Sequence, residues 1–450
     1  MLQQQLERER QQADAEGETI VVQSPAQSAN ARPQRSRHPP VRYQNEYAHV
    51  AIVDIKEPRN LQEAMESPNR EAWKESLLRE LTSMQKHCVW RKATMEELAT
   101  ASNVVDSKLV LKHKHDVHGR LVLLKSRLVA RGFSQVSGID YDEVFAPTAK
   151  VTTVRLLLAL AAYFDLEVEQ MDVVTAFLCG KLRERIFMKL PDIPMDLARQ
   201  LDFEPGEVAL LLRMLYSLKQ SPREWYNVFA TKLQELGFMR SPHDYALFFR
   251  EGIALVVYVD DLLIFSQSRE RVQELKQELF RAFDMKDMGP ARFFLGMEVI
   301  RDRSKRILKI CQQAYIDKML EIFGQVDAKD AATPMETGGI PIVNDHGELL
   351  QDMMEYQALI GSLLYAARMT RPDISYAVST LAQYNAEPTR THLKMALRVL
   401  RYLKKTREQG ICYGNHGNME IIAYSDADWA GCKNTRKSTT GYVVVENLKR

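Results

Sequence analysis

Apolar positions along this chain change their period several times, and each change predicts an element. In "NREAWKESLLRELTSM", Asn69 to Met84, they recur at helical spacing and predict an amphipathic helix. "KLVLKHKHDVHGRLVLLKSRLVARGF" then reads as two apolar-rich strands around "DVHG", a hairpin. "VTTVRLLLALAAYF" is apolar on most sides and predicts a buried helix with Thr152 or Thr153 as its N-cap. "LEVEQMDVVTAFLCG" alternates as a strand does and brings Asp172 to its end. "SPREWYNVFATKLQELGF" predicts a helix with Ser221 as cap, Pro222 at the first helical position, Glu224 completing a capping box and Gly237 as terminator. "ALVVYVDDLLIFSQ" follows, Ala254 to Gln267: two β-prone runs flank two adjacent acids, so a hairpin with Asp260 and Asp261 at its bend is expected. "RERVQELKQELFRAF" adds a helix. After the loose tract "GQVDAKDAATPMETGGIPIVNDHG" come three helical segments between about 353 and 406, and then a new β pattern in "MEIIAYSDADWAG" and "TTGYVVVE". The class this predicts is α+β, without internal repeats and without Walker or dinucleotide glycine motifs.

Residues 1 to about 58 carry no such pattern. They are rich in Gln, Arg, Ser and Pro and read as a disordered spacer, with "RPQRSRHPPVRY" as its basic segment. The whole chain of 450 residues is long enough for two or three domains, and its 45% hydrophobic content is that of a globular protein. A net charge of +2 decides little, since a nucleic-acid binder can confine its basic groups to one surface. The five cysteines are scattered and lack a C-x-x-C pair, so neither a disulfide framework nor a zinc knuckle is suggested, and a reducing compartment fits. No apolar run suits a membrane span, and the polar N-terminus does not suit a signal peptide.

The adjacent acids change the picture most. Like charges side by side repel, and a tight hairpin turn is better served by Asn-Gly or Asp-Gly. They form either a solvated turn or a seat for a divalent cation, which prefers oxygen ligands. The cation reading needs a third acid and basic groups for phosphates. Asp172, at a strand end, is the third acid. From Lys108 to Arg131 the predicted basic hairpin holds seven Lys or Arg and one acid, Asp116, and can supply a phosphate clamp. Three acids on neighbouring strands can hold two cations about 4 Å apart, the arrangement for in-line displacement at phosphorus. His113, His115 and His118 lack a partner set and are not read as a zinc site.

These residues carry a family resemblance. "YVDD", Tyr258 to Asp261, resembles the reverse transcriptase signature. "KSRLVARGFSQVSGIDYDEVFAPTAKVTTVRLLLALAA", "QMDVVTAFLCGKL", "LYSLKQSPREWY", "FFLGMEV", "TRPDISYAVSTLAQY" and "AYSDADWAG" resemble, in order, blocks of copia-type retrotransposon Pol polyproteins. The resemblance implies a right-hand polymerase with fingers, an antiparallel palm sheet, a helical connection and the start of a ribonuclease H domain. It divides the chain into a spacer (1–58), fingers and palm (59–324), a linker (325–352), a helical thumb or connection (353–410) and a truncated ribonuclease H-like segment (411–450). It implies RNA-directed DNA polymerase activity with two Mg2+ or Mn2+ ions, a primed RNA or DNA template, dNTPs, and no membrane. Asp172, Asp260 and Asp261 become the metal-binding catalytic acids, with Asp261 the less directly engaged. Phe177 matches the bulky gate that rejects a ribose 2′-hydroxyl, and Gln220 the glutamine beside the incoming nucleotide. Lys286 matches a lysine that protonates leaving pyrophosphate. Lys125, Arg127 and Arg131 are triphosphate candidates, and Phe293 to Val299 resembles the primer grip.

Two alternatives stay open at this point: a silent remnant that binds nucleic acid without chemistry, and an unrelated metal-dependent hydrolase using the same acids. Asp426 in "AYSDADWAG" resembles the first ribonuclease H acid, with Asp428 read as a loop acid. No helix carrying a second family acid follows Glu446, so hybrid cleavage by this chain is not expected. A cytoplasmic virus-like particle, or the nucleus, is the expected location from the resemblance, along with other parts of the Pol polyprotein as partners.

Overall fold

The computed structural model describes residues 57–115, 121–201, 204, 206–336, 348–414, 420–431 and 436–447. The expected spacer, apart from its last two residues, lies outside the described residues. So do the hairpin tip with His118 and the middle of the expected linker.

A six-stranded antiparallel sheet organises the rest. Its order is Met285–Pro290, Glu167–Val173, Asp261–Ser266, Ile253–Tyr258, Leu247–Arg250 and Met239–Arg240. Both faces are covered, which explains why "ALVVYV" and "LLIF" run apolar without a polar side. On the back, Met171, Val173, Leu255 and Leu262 pack against Trp225, Phe229 and Leu233 of helix Ser221–Glu235 and against Leu275 and Leu279 of helix Arg269–Ala282. On the front, Val168, Leu263 and Phe265 pack against helix Val151–Phe164 and against Phe294, Met297 and Leu308 of a second sheet. Burying such side chains stabilises by roughly 1.5–3 kcal/mol each, so both interfaces resist slippage.

That second sheet runs Phe293–Phe294, Met297–Asp302, Ile307–Cys311 and Gly410–Gly414. The segment at 411–414, expected to open the terminal β unit, therefore pairs with Ile307–Cys311. The terminal unit proper is a hairpin of Glu420–Ala427 and Thr440–Asn447.

The basic hairpin forms as expected, from Ser107–His115 and Leu121–Ala130. Its alternation sets Leu124, Ser126, Leu128 and Ala130 inward, while Lys125 and Arg127 lie on the other face. Helix Arg70–Lys86 anchors it: Ser76 Oγ accepts from Ser126 N at 2.8 Å, and Glu80 accepts from Leu128 N at 3.2 Å. A further short-stranded sheet, Trp90–Lys92, Val208–Leu211, Phe187–Lys189 and Val104–Val105, completes this part. Four helices, Gln313–Ile322, Met353–Met369, Ser375–Ala382 and Arg390–Lys405, share a separate core.

Two expected helix caps do not form. Helix Val151–Phe164 has Lys150 at its cap, and neither Thr152 nor Thr153 caps it. The carboxylate of Asp244 accepts from Lys150 N at 2.9 Å and from Thr153 Oγ1 at 2.6 Å instead. In helix Ser221–Glu235 the cap is Gln220, and Ser221 Oγ donates to Leu215 O at 2.7 Å. Glu224 forms no capping box; its carboxylate meets Arg223 at 2.8 Å. Pro222 is thus the second helical residue, and Gly237 follows the helix end at φ 84° as expected.

One buried charge locks the helical part. Arg371, 1% exposed, grips Asp373 through two nitrogens at 2.9 and 2.7 Å and donates to Thr406 O at 2.9 Å. Asp373→Ala strands that guanidinium in the core and is expected to cost about 3–5 kcal/mol. Arg371→Met removes the buried charge and leaves an acid with access to water, so it should cost less. Urea unfolding of both variants checks the ranking, and the reverse order would contradict it.

Candidate active site

The site begins with strand register. Asp172 and Asp261 are direct partners on adjacent antiparallel strands, so their side chains share the front face. Asp261 also pairs with Tyr258, which leaves Val259 and Asp260 as a two-residue turn. The sequence does place the two acids at a hairpin bend, as expected. Val259 sits at φ 59°, a conformation costly for a branched side chain. Val173 N donates to Asp260 O at 3.0 Å, tying the turn to the strand that carries Asp172. The indole Nε1 of Trp225 donates to Val259 O at 2.7 Å from the back of the sheet.

Electrostatics bind the three acids into one group. Burial, then the charge of Asp260, raises the Asp172 carboxyl above its ordinary range, while Lys125, Lys286 and Lys114 oppose the shift. Asp261 is pushed up to about 6 by burial, Asp260 and Asp172, against a hydrogen bond from Gln170 Nε2 at 3.4 Å. Hard oxygen donors gathered this way suit a divalent cation in chemical kind. Among the described residues, however, no three His, Cys, Asp or Glu side chains are arranged to hold a metal ion. The donor chemistry fits, and a closed coordination cage does not accompany it.

Basic groups approach from two sides. Lys286 is the register partner of Asp172 on the other neighbouring strand and is exposed. Lys125, on the basic hairpin, lies within electrostatic reach of Asp172; burial, then Arg127 and Lys114, lowers its ammonium. Arg127 stands 5.7 Å over the ring of Tyr216, and Phe177 meets that ring edge-on at 5.3 Å. Burial pushes the Tyr216 phenol up to about 12. Arg131 stays at the hairpin root, its N–H donating to Asp106 O at 2.7 Å. Close approach there requires Gly132, since a Cβ on it would meet Ser217 O at 2.1 Å.

Gln220 does not face open space. It is 1% exposed; its Nε2 donates to Asp140 O at 2.8 Å and its Oε1 accepts from Gln135 at 3.1 Å. Asp140 in turn accepts from Val136 N at 2.7 Å, so Gln220 orders the loop over 132–141. Phe293 is exposed and Phe294 buried on the first strand of the second sheet. Asp426 is exposed on the terminal hairpin, and Asp428 lies past the strand end, accepting from Gly431 N and Thr439 N as a loop acid does. His113 is buried and stacks on Trp73 at 5.6 Å. No helix among the described residues is long and apolar enough to cross a membrane.

Sequence reasoning missed Gln170, Tyr216 and Trp225. Tyr216 stands in the quoted block "LYSLKQSPREWY", and its neighbours there gave no sign that it joins Phe177 to Arg127. Trp225 carries the spacing of an ordinary core aromatic, and nothing local marks its bond to residue 259.

Over residues 92–337 the chain matches the family described as reverse transcriptase (RNA-dependent DNA polymerase). It is 36% identical over 432 residues to the "Retrovirus-related Pol polyprotein from transposon TNT 1-94" of Nicotiana tabacum, covering 93% of this chain and 31% of that protein. It is 34% identical over 403 residues to the corresponding polyprotein from transposon RE1 of Arabidopsis thaliana, covering 88% and 26%. It is also 34% identical over 279 residues to "Putative transposon Ty5-1 protein" of Saccharomyces cerevisiae, covering 61% of this chain and 88% of that one. The chain thus spans about a third or less of the two Pol polyproteins.

The raised Asp261 carboxyl has a consequence for stability. Its folded pKa of about 6 lies above the ordinary 3.8, so the folded state holds the proton longer. Its contribution is most favourable below the ordinary value and is lost as pH rises through about 6. Without divalent cations, Asp261→Asn should therefore stabilise the protein at about pH 7, by on the order of 1 kcal/mol, and far less at about pH 4.5. Thermal melts in chelator at both pH values check this. A stabilisation independent of pH would remove the charge argument.

Proposed function

Because this chain belongs to the reverse transcriptase family of copia-type retrotransposon Pol polyproteins, we propose that it is an RNA-directed DNA polymerase that adds dNTPs to a primer 3′-hydroxyl. The observation that carries the reading is the register partnership of Asp172 and Asp261, with Asp260 on the turn between strands. The six-stranded sheet is then the palm, the basic hairpin belongs to the fingers, and the three helices between 353 and 405 belong to the thumb or connection. The terminal hairpin is the ribonuclease H-like start.

Asp172 and Asp260 would hold the divalent ions, with Asp261 assisting. Two bound magnesium or manganese ions would activate the primer hydroxyl and neutralise the leaving pyrophosphate. The remaining work belongs to the chain's own groups. Lys125 and Arg127 meet the triphosphate with positive charge from the hairpin face opposite its packed side. Phe177, braced by Tyr216, occupies the space a 2′-hydroxyl would need. Lys286, exposed beside Asp172, is the proton donor to pyrophosphate. Gln220 acts through the 132–141 loop that it orders.

Primer extension on an RNA template with magnesium tests the proposal. Asp172→Asn or Asp260→Asn should lower extension by about a thousandfold or more with the fold kept, since charge stabilisation dominates such chemistry. Asp261→Asn should lose less. Near-normal extension by folded Asp260→Asn protein would sink the assignment.

Sugar choice gives a separate check. Phe177→Val should raise ribonucleotide incorporation relative to deoxyribonucleotide. A change confined to stability, about 1–4 kcal/mol for the cavity left, would make Phe177 a packing residue only.

A further inference from the structure

The turn that presents Asp260 and Asp261 is held in a conformation its own sequence disfavours. Val259 occupies the first central position at φ 59°. Glycine or asparagine accepts that region readily, whereas a branched Cβ crowds the backbone there. Such a residue persists only where its surroundings over-determine it.

Two hydrogen bonds reach the turn from outside. Val173 N to Asp260 O, at 3.0 Å, continues the neighbouring ladder. The other is the indole N–H of Trp225, 2.7 Å from Val259 O and 34 positions away in sequence. Trp225 is 1% exposed, and its ring is fixed by Phe229 at 5.3 Å and Phe283 at 5.4 Å. An indole has one donor and no acceptor, so an immobilised ring has a single direction in which to bond. Here that direction is the carbonyl of the strained residue.

We infer that Trp225 is a positioning residue for polymerisation: its indole N–H fixes the Val259 carbonyl and so holds the turn in the shape that presents Asp260 and Asp261. The inference rests on the reading of those acids as the metal-holding pair. It adds that their placement is set from the back of the sheet, by a residue with no access to substrate.

The test uses the full chain in primer extension on a homopolymeric RNA template, with magnesium titrated and melting temperatures recorded. Trp225→Phe keeps an aromatic ring against Phe229 and Phe283 and deletes the donor. It should lower kcat about tenfold and raise the half-saturating magnesium several-fold, well below its melting temperature. Val259→Gly alone is the reference against which the double variant is read, because glycine adopts positive φ unaided. The double variant Trp225→Phe/Val259→Gly should recover most of the lost rate, a non-additivity that a purely structural tryptophan does not produce. Trp225→Phe with the parent's rate and magnesium response overturns the inference, as does a loss that Val259→Gly leaves unrelieved. Asp260→Asn run alongside separates the two levels: its retaining activity would overturn the underlying reading, whereas a dead Asp260→Asn beside an unaffected Trp225→Phe overturns this inference alone.

Discussion

Two carboxylates face each other across adjacent strands, and the rest of the structure is arranged around that opposition. Asp172 and Asp261 share the front face because their strands pair in one register. A slip of one residue would turn one of them into the apolar back, against Trp225 and Phe229. The register is secured by apolar side chains on both faces and by Lys276. That lysine, 3% exposed, reaches Glu169 and Asp287 at 2.7 Å each, joining the helix behind the sheet to the strand of Asp172 and its outer neighbour. On the back Lys276 is paired with both acids, while on the front the Asp261 carboxyl is raised by burial, Asp260 and Asp172 and no lysine offsets it.

That division explains why helix Ser221–Glu235 matters beyond packing. Gln220, at its cap, orders the loop over 132–141, and Trp225, little more than one turn further, reaches the acidic turn. A single rigid element therefore sets two parts of the site from behind. A shift of that helix would disturb the loop and the turn together, although both residues are buried.

The elements were legible where the signal is local. The apolar runs around Asp260 and Asp261, the alternation leading to Asp172 and the periodic helices all form within a residue or two of their expected places. What escaped was nonlocal. Asp244 reaches the start of helix Val151–Phe164 from a distant loop, accepting from Lys150 N and the Thr153 hydroxyl, and no motif at Thr152 or Thr153 could announce it. Ser221 looked like a cap because Ser-Pro-x-Glu is a local pattern, yet the carbonyl of Leu215 competes for its hydroxyl. The bonds of Gln220 to Asp140 and Gln135 join positions about eighty residues apart, and no local pattern announces them. Gly410–Gly414 pairs with a strand about a hundred residues earlier, a partnership set by packing rather than by pattern.

The strand order also sets when the site can come into being during synthesis. Glu167–Val173 lies between two strands made much later, and Gln170 and Asp261 are 91 positions apart. Until the chain has passed Pro290, the strand with Asp172 lacks at least one of its neighbours. Contacts so distant in sequence form slowly, because a long loop must close before any of them is gained. At elongation rates of about 5–20 residues per second, that delay amounts to several seconds on the ribosome. Through that interval the strand edges stay open to other partners, so this stretch of the chain needs protection while it is being made.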